Sequence, residues 1–324
     1  MTIEDDMKII FDKMGIEKGH LSLHDFSTPI STIPKQRADG KIIALDGHVR
    51  SLITYGSITN RGQYGIIQRS LHDNPETHQK RHVVIKRPCR AAISLQPEAC
   101  LQELCRMHLE RNLICSAIPE VYDIFVFADE VRFSMEWIEG VDSLKFLAGV
   151  GDAELEATFV NILLQICFIL EILGRELKFD HRDLKPENIW IRHLSVPANY
   201  VISIDGITHM IEFSYQVILL DFGFACIGSM VPPMSLAQDV IPAIDPCPKT
   251  GRDMYHILSR FLNESAITKR LSKQLYEAML EWMKPYRVKN GGLLYLITAD
   301  AHFENRRLKP GAIIKWFLGG VSRS

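Results

Sequence analysis

The sequence predicts an α+β chain folded in two lobes, a small sheet-rich one followed by a larger helical one. Three observations predict it. Residues 51–137 read mostly as strands around a single helix. Residues from about 139 onward read mostly as helices. The length, 324 residues, suffices for one large domain or two smaller ones. Ligands favour a cleft between two lobes.

Residues 1–50 carry one short amphipathic helix near 4–14 and then Pro and Gly punctuation. They read as an N-terminal extension that packs on, or frays from, residues 51 onward. Their acidic start lacks the basic-then-apolar order of a signal peptide.

In 51–138, SLITYGSI and YGIIQRSL flank a Gly-containing turn, and RHVVIKRP is a further strand. Between them, LHDNPETHQK reads as a loop. Its His72, with the nearby His78 and His82, reads as a solvated hairpin tip rather than a metal site. The stretch QPEACLQELCRMHLERNL places Leu101, Leu104, Met107 and Leu109 at helical spacing. EVYDIFVF and VRFSMEWI form a hairpin through Ala128, Asp129 and Glu130.

In 139–324, helices are expected at 142–149, 153–177, 252–263, 268–286 and 308–318. YVISIDGITHMIEF interrupts them. Its Asp205-Gly206 pair between β-rich runs predicts a hairpin with a type I′ turn, an insertion at about 195–216. The most apolar run, 159–173, contains Asn161, Gln165 and Glu171 and is short for a membrane span, so it reads as a buried core helix.

Composition is that of an ordinary globular chain, 47% hydrophobic and 23% charged. A net charge of −2 offers no electrostatic case for a nucleic-acid or membrane partner. Cys89, Cys100, Cys105, Cys115, Cys167, Cys226 and Cys247 form no CxxC and are odd in number. They read as reduced thiols in a cytoplasmic or other reducing compartment.

The chemistry gathers in FDHRDLKPENIW, 179–190, and in the later VILLDFGFA. Asp221 comes just after a buried strand, where an acid is costly unless a cation holds it. Asn188 and Asp221 offer the hard oxygens that Mg²⁺ takes beside phosphate. Asp183 can accept a proton from an attacking hydroxyl, and Lys185 can neutralise a transferring phosphoryl group. Gly62 and Gly65 permit a turn whose backbone N–H groups cover phosphates. Lys86 ends an apolar strand and requires an anion or exposure. Glu103 on the next helix is an available partner, and Glu98, nearer that helix's start, is the alternative.

In order, these segments resemble the signatures of the eukaryotic-type serine/threonine protein kinase family. NRGQYGII resembles its Gly-rich loop, VVIK its strand lysine, LQELCRM its helix glutamate and SMEWIEG its hinge. HRDLKPEN resembles its catalytic loop, DFG its metal-binding turn, and GRDMYHIL the start of its central helix with Asp253 as the buried acid. The resemblance spans about 55–262. It implies a bilobal kinase-like fold, with a β-rich N-lobe at 51–138 and a mainly helical C-lobe at 139–324.

It also implies ATP and Mg²⁺ as cofactors and transfer of the γ-phosphate to Ser/Thr hydroxyls of protein substrates. By position, Lys86 contacts the α/β-phosphates and pairs with Glu103, Asp183 orients the hydroxyl, and Lys185 supports the γ-phosphate. Asn188 and Asp221 hold Mg²⁺. Glu136 and Ile138 bond the adenine edge through their backbones, with Met135 as gatekeeper. Asn60, Gly62, Gly65 and Ile67 cover the nucleotide, and His181 supports the loop. The resemblance sets neither the oligomeric state nor the substrate.

The chain departs from the family's pattern in several places. Asn60 stands at the first Gly of the loop. Val84 replaces an Ala and Trp190 a Leu, both flanking the adenine ring, which implies a reshaped pocket. No APE comes after the DFG, and the Pro-rich 226–250 segment has no clear activation-loop Thr. It is expected to hold its place without phosphorylation of Ser229, Ser235 or Thr250. The long separation of Asn188 from Asp221 fits the inserted hairpin and resembles divergent kinases of large DNA viruses, which would place the chain in host cytoplasm or virion. The alternatives are a pseudokinase-type binding or scaffold module and a small-molecule phosphotransferase.

Overall fold

The computed structural model describes residues 2–17, 21–23, 26–61, 65–89, 94–228, 246–286, 297 and 300–319. Helix α1 (Ile3–Met14) starts at a reciprocal capping box between Thr2 and Asp5. It stops at Gly15, whose φ of 67° is left-handed. Met7, Ile10, Phe11 and Met14 repeat at helical spacing, and all four are buried in the main core. The start of the chain is thus packed rather than frayed.

Seven strands close into a barrel. They are β1 (Lys35–Gln36), β2 (Lys41–Ile43), β3 (Val49–Arg61), β4 (Gly65–Asn74), β5 (Gln79–Pro88), β6 (Val121–Phe127) and β7 (Glu130–Glu136). Their order around the barrel is β1-β2-β3-β4-β5-β7-β6. All neighbours run antiparallel except β1 and β6, which close the barrel in parallel through Lys35 and Val126. Ile42, Ile53, Val83, Ile85 and Phe125 fill one buried cluster of their own.

A polar knot accompanies them. The Asp123 carboxylate accepts a hydrogen bond from Ser51 Oγ (2.9 Å) and pairs with His72 Nε2 (2.8 Å). His72 is therefore buried on β4, not at a solvated tip. Period-2 alternation turns it inward, whereas His78 and His82 are exposed.

Helix α2 (Gln96–Arg111) has Pro97 in its first turn and packs on α1, β6 and β7. A second sheet, in order β10-β9-β8, joins β8 (Val141–Asp142), β9 (Ile189–Ile204) and β10 (Ile207–Leu219). The β9–β10 turn falls at Asp205-Gly206, both at positive φ (51° and 78°), as a type I′ turn requires.

The remaining helices are α3 (Ser143–Ala148), α4 (Asp152–Leu177), α5 (Arg252–Asn263), α6 (Ser265–Thr268), α7 (Lys273–Trp282) and α8 (Pro310–Leu318). By length and composition α4 could cross a membrane, yet 67% of its apolar window is buried inside the fold. Phe159, Ile162, Ile166, Ile169 and Leu173 lie in the core.

The expectation of a bilobal kinase-like fold with a mainly helical second lobe is corrected. The chain forms a closed seven-strand barrel, a separate three-stranded sheet and, among the described residues, eight α-helices. Two long strands, 16 and 13 residues, lie in the part expected to be mainly helical. One main core runs from Met7 to Ile314. The reason lies partly in residues 35–43. These two short strands lack the length for a clear alternating pattern, yet they close the barrel.

The packing of α1 generates a stability test. Phe11→Ala should lower the unfolding free energy by about 3–5 kcal/mol, through lost burial and the cavity left behind. Ile9→Ala, on a side chain 44% exposed, should change it by no more than about 0.5 kcal/mol. Urea unfolding of the two variants measures both.

Candidate active site

Alternation along β5 separates two faces. Val83 and Ile85 join the barrel cluster, so Val84 and Lys86 face the other way. The Lys86 Nζ lies 2.5 Å from Glu98 Oε1 and 2.7 Å from Asp221 Oδ1. Burial alone would push the Lys86 ammonium down; Asp221 and Glu98 override it and hold it above the ordinary lysine value.

The two carboxylates divide. Burial, with Asp221 close by, pushes Glu98 up despite Lys86. Asp221 also resists burial, but Lys86, then His181 and Lys185, hold it down at about 2. The Asp221 side chain is 44% exposed, so it is the ionised acid that faces outward.

Glu103, expected as the partner of Lys86, does not reach it. Its carboxylate takes Lys13 Nζ (2.7 Å), Arg106 Nη2 (2.7 Å) and the Val121 backbone N–H (3.2 Å). Five residues along a helix turn a side chain by roughly 140°. Glu98 and Glu103 therefore point in different directions: Glu98 in the first turn meets β5, and Glu103 meets α1 and β6.

The 179–190 stretch folds onto itself. Lys185 Nζ donates to Asp183 Oδ2 (2.6 Å). Asn188 Nδ2 donates to Asp183 O (2.9 Å) and Oδ2 (3.2 Å). Hydrogen bonds tie it to Asp221's approach: Leu220 N donates to Asn188 O (2.9 Å), and His181 Nε2 donates to Leu220 O (2.9 Å). Asp253, buried at the start of α5, accepts the N–H groups of His181 (2.7 Å) and Arg182 (2.8 Å). Arg182 and Asp221 both sit at positive φ, 66° and 62°. Non-glycine residues held there are strained, and such strain gathers at functional sites.

The other expected site residues surround these clusters at varied depth. Val84 and Ile138 are buried, while Met135 and Trp190 are half-buried. Trp190 alternates with the buried Ile189 and Ile191, so it lies on the other face of β9. The Met135 Sδ accepts from Gln102 Nε2 (3.5 Å), and the Glu136 carboxylate pairs with Arg192 (3.0 Å). Asn60 is exposed and pairs across the ladder with the half-buried Ile67. At Gly65 a Cβ would come within 3.0 Å of Lys86 Cε. Gly62, Ser229 and Ser235 lie outside the described residues.

The reading of all cysteines as reduced is corrected for one pair: Cys226 and Cys247 form a disulfide. Antiparallel bonds between Cys226 and Asp180 set Cys226 beside the segment that Asp180 gathers. The Asp180 carboxylate accepts from Lys249 N (2.6 Å) and Arg252 Nε (3.0 Å), which brings Cys247 alongside.

No protein-family model matches the chain. Over 199 residues it is 24% identical to "Probable kinase 098L" of Invertebrate iridescent virus 3, covering 60% of this chain and 36% of that protein. The match spans well under two thirds of that relative. This distant similarity supports a kinase-like chain in general terms.

His256, one turn after Asp253, gives a pH test. Burial, then the charges of Arg252 and Arg260, hold its imidazole down at about 3 against an ordinary 6.5. The unfolded chain therefore takes up a proton that the folded chain refuses. This contribution to stability is complete above about pH 6.5 and falls by up to ~1.4 kcal/mol per pH unit as pH drops from there towards about 3. A His256→Gln variant should lack that part of the slope, measured by denaturant unfolding of both proteins across the window.

Proposed function

We propose that the chain is an ATP- and Mg²⁺-dependent protein kinase that transfers the γ-phosphoryl group to Ser/Thr hydroxyls. The observation that supports it is the Lys86 ammonium, shared by Glu98 and Asp221. It stands with a second cluster of Asp183, Lys185 and Asn188 that a hydrogen bond ties to Leu220, the residue before Asp221. The similarity to a protein named as a probable kinase adds general support. The Ser/Thr preference rests on the LKPEN stretch.

In this reading Lys86 anchors phosphate oxygens. Asp183 takes the hydroxyl proton as that oxygen attacks phosphorus and the bond to the diphosphate leaving group breaks. Lys185, beside Asp183, shields charge on the transferring group. Asn188 Nδ2 is committed to Asp183, which leaves Oδ1 as its hard oxygen, and Asp221 supplies a half-exposed carboxylate. These two residues fit Mg²⁺, which when bound would neutralise phosphate charge.

Labelled ATP with Mg²⁺, offered with a panel of proteins and a panel of small hydroxyl compounds, tests the reading. Wild-type protein should label proteins, and Asp183→Asn should cut the rate by about 10²–10⁴-fold. Absence of mutation-sensitive transfer to any protein would sink it, and transfer confined to small molecules would identify a small-molecule phosphotransferase. Glu98→Gln should lower kcat/KM for ATP by about tenfold or more, whereas Glu103→Gln should stay within about threefold. Trp190→Leu should shift the KM for ATP; an unchanged value would show that Trp190 points away from the nucleotide.

A further inference from the structure

Arg87 is next to Lys86 on β5 and so faces the opposite side, away from Glu98 and Asp221. There it lines a cavity of about 500 Å³ together with Arg37, Arg132, Tyr55 and Phe127. Strands β3, β4, β5 and β7, with the β1–β2 turn, contribute to its wall. Barrel mouths are recurrent places for ligand sites.

The charges in this cavity do not balance. Its lining holds three guanidiniums and one carboxylate, Asp39. Asp39 is paired with Lys41 at 3.3 Å. Arg132 is paired with Glu130 at 2.5 Å and lies 4.7 Å from the centre of the Phe127 ring. Arg87 forms no ion pair among the described residues. The β5–β7 ladder ends at Lys86 and Phe133, so Arg87 and Arg132 are the next neighbours across it. Like charges facing across strands oppose each other unless an anion intervenes.

The Arg87 Nε is buried and has no hydrogen-bond partner among the described residues. A guanidinium does not shed its proton, so this N–H needs an acceptor from elsewhere.

We propose that the barrel mouth binds a phosphomonoester, with Arg87 donating to its oxygens and Arg37 closing over it. Arg87 has no ion-pair partner among the described residues, and Arg37 shares the Asp39 carboxylate with Lys41, so together they leave positive charge for a dianion. A phosphomonoester carries about −1.5 to −2 near neutral pH, whereas a carboxylate brings a single charge. The planar guanidinium also suits two-point contact with phosphate oxygens. The ester can be a phosphorylated side chain on a peptide or a free small molecule. The site stands apart from the Lys86 cluster, so the proposal does not depend on the kinase reading.

Isothermal titration of the full chain at fixed ionic strength tests it, with three probes: a phosphoserine peptide, the same peptide unphosphorylated, and inorganic phosphate. The phosphoserine peptide should bind saturably and the unphosphorylated one should not. Arg87→Met should weaken binding by tenfold or more. Arg37→Met, at an exposed position, should weaken it less and does not threaten the fold. Lys86→Met should leave this binding unchanged. Tight binding of the peptide with weak binding of inorganic phosphate identifies a peptide ligand; equal binding identifies a free phosphate ester. Absence of saturable binding by either phosphate probe overturns the proposal. So does binding that survives both arginine variants, or binding lost only in Lys86→Met.

Discussion

The Lys86 ammonium is buried, and a buried charge is tolerable only while its partners stay within hydrogen-bond reach. It reaches Glu98 on α2 and Asp221 just beyond β10. Two successive elements, and a segment 135 residues beyond Lys86, must therefore meet at one nitrogen. Removing either carboxylate leaves charge in a poorly solvated place. The division between the acids arises from the same constraint. One ammonium does not hold the buried Glu98 and the half-exposed Asp221 equally, and Asp221 keeps its charge more firmly.

Much of the surrounding structure serves to keep α2 in place. Its far side is clasped by α1. Lys13 bridges Glu103 and Glu120, and Asp6 holds Arg111 and His108. Glu103 thus orients the helix from behind, while Glu98 works at the front. The loop from His181 to Asn188 is fixed mostly through backbone atoms, by Asp253 from below and Leu220 from the side. Main-chain bonds set the loop's path, so the side chains of Asp183 and Lys185 are held next to each other without having to carry the fold. A positive φ at Arg182 is the conformational cost.

The sequence was legible where local chemistry decides the outcome. Asp205-Gly206 turned as its type demands, α4 and α5 fell at their expected positions, and Asp183, Lys185 and Asn188 gathered as neighbours. It was less legible where geometry is set by distant packing. The choice of Glu98 over Glu103 is a matter of helix phase relative to a strand that the sequence does not orient. His72 looked like a loop residue, because its partner Asp123 lies on another strand. Cys226 and Cys247 carry no spacing signal; Asp180 and Arg252 bring them together. The second sheet and the closing strands were invisible as architecture. A two-residue strand shows no period, and a long hairpin does not announce how much of its surroundings it will replace.

The barrel's closure bears on how the chain acquires its structure. Each antiparallel neighbour from β2 to β5, and the β6–β7 pair, is joined by a short link, so those ladders can form from nearby residues. The β1–β6 contact joins Lys35 to Val126 across about ninety residues, and ordering so long a loop is the unfavourable step. Until it forms, β1 and β6 each present an unpaired edge, which can recruit strands from other molecules. Closure of the barrel thus rests on a two-residue strand, and folding yield should depend on residues 34–36 more than their small contribution to the core implies.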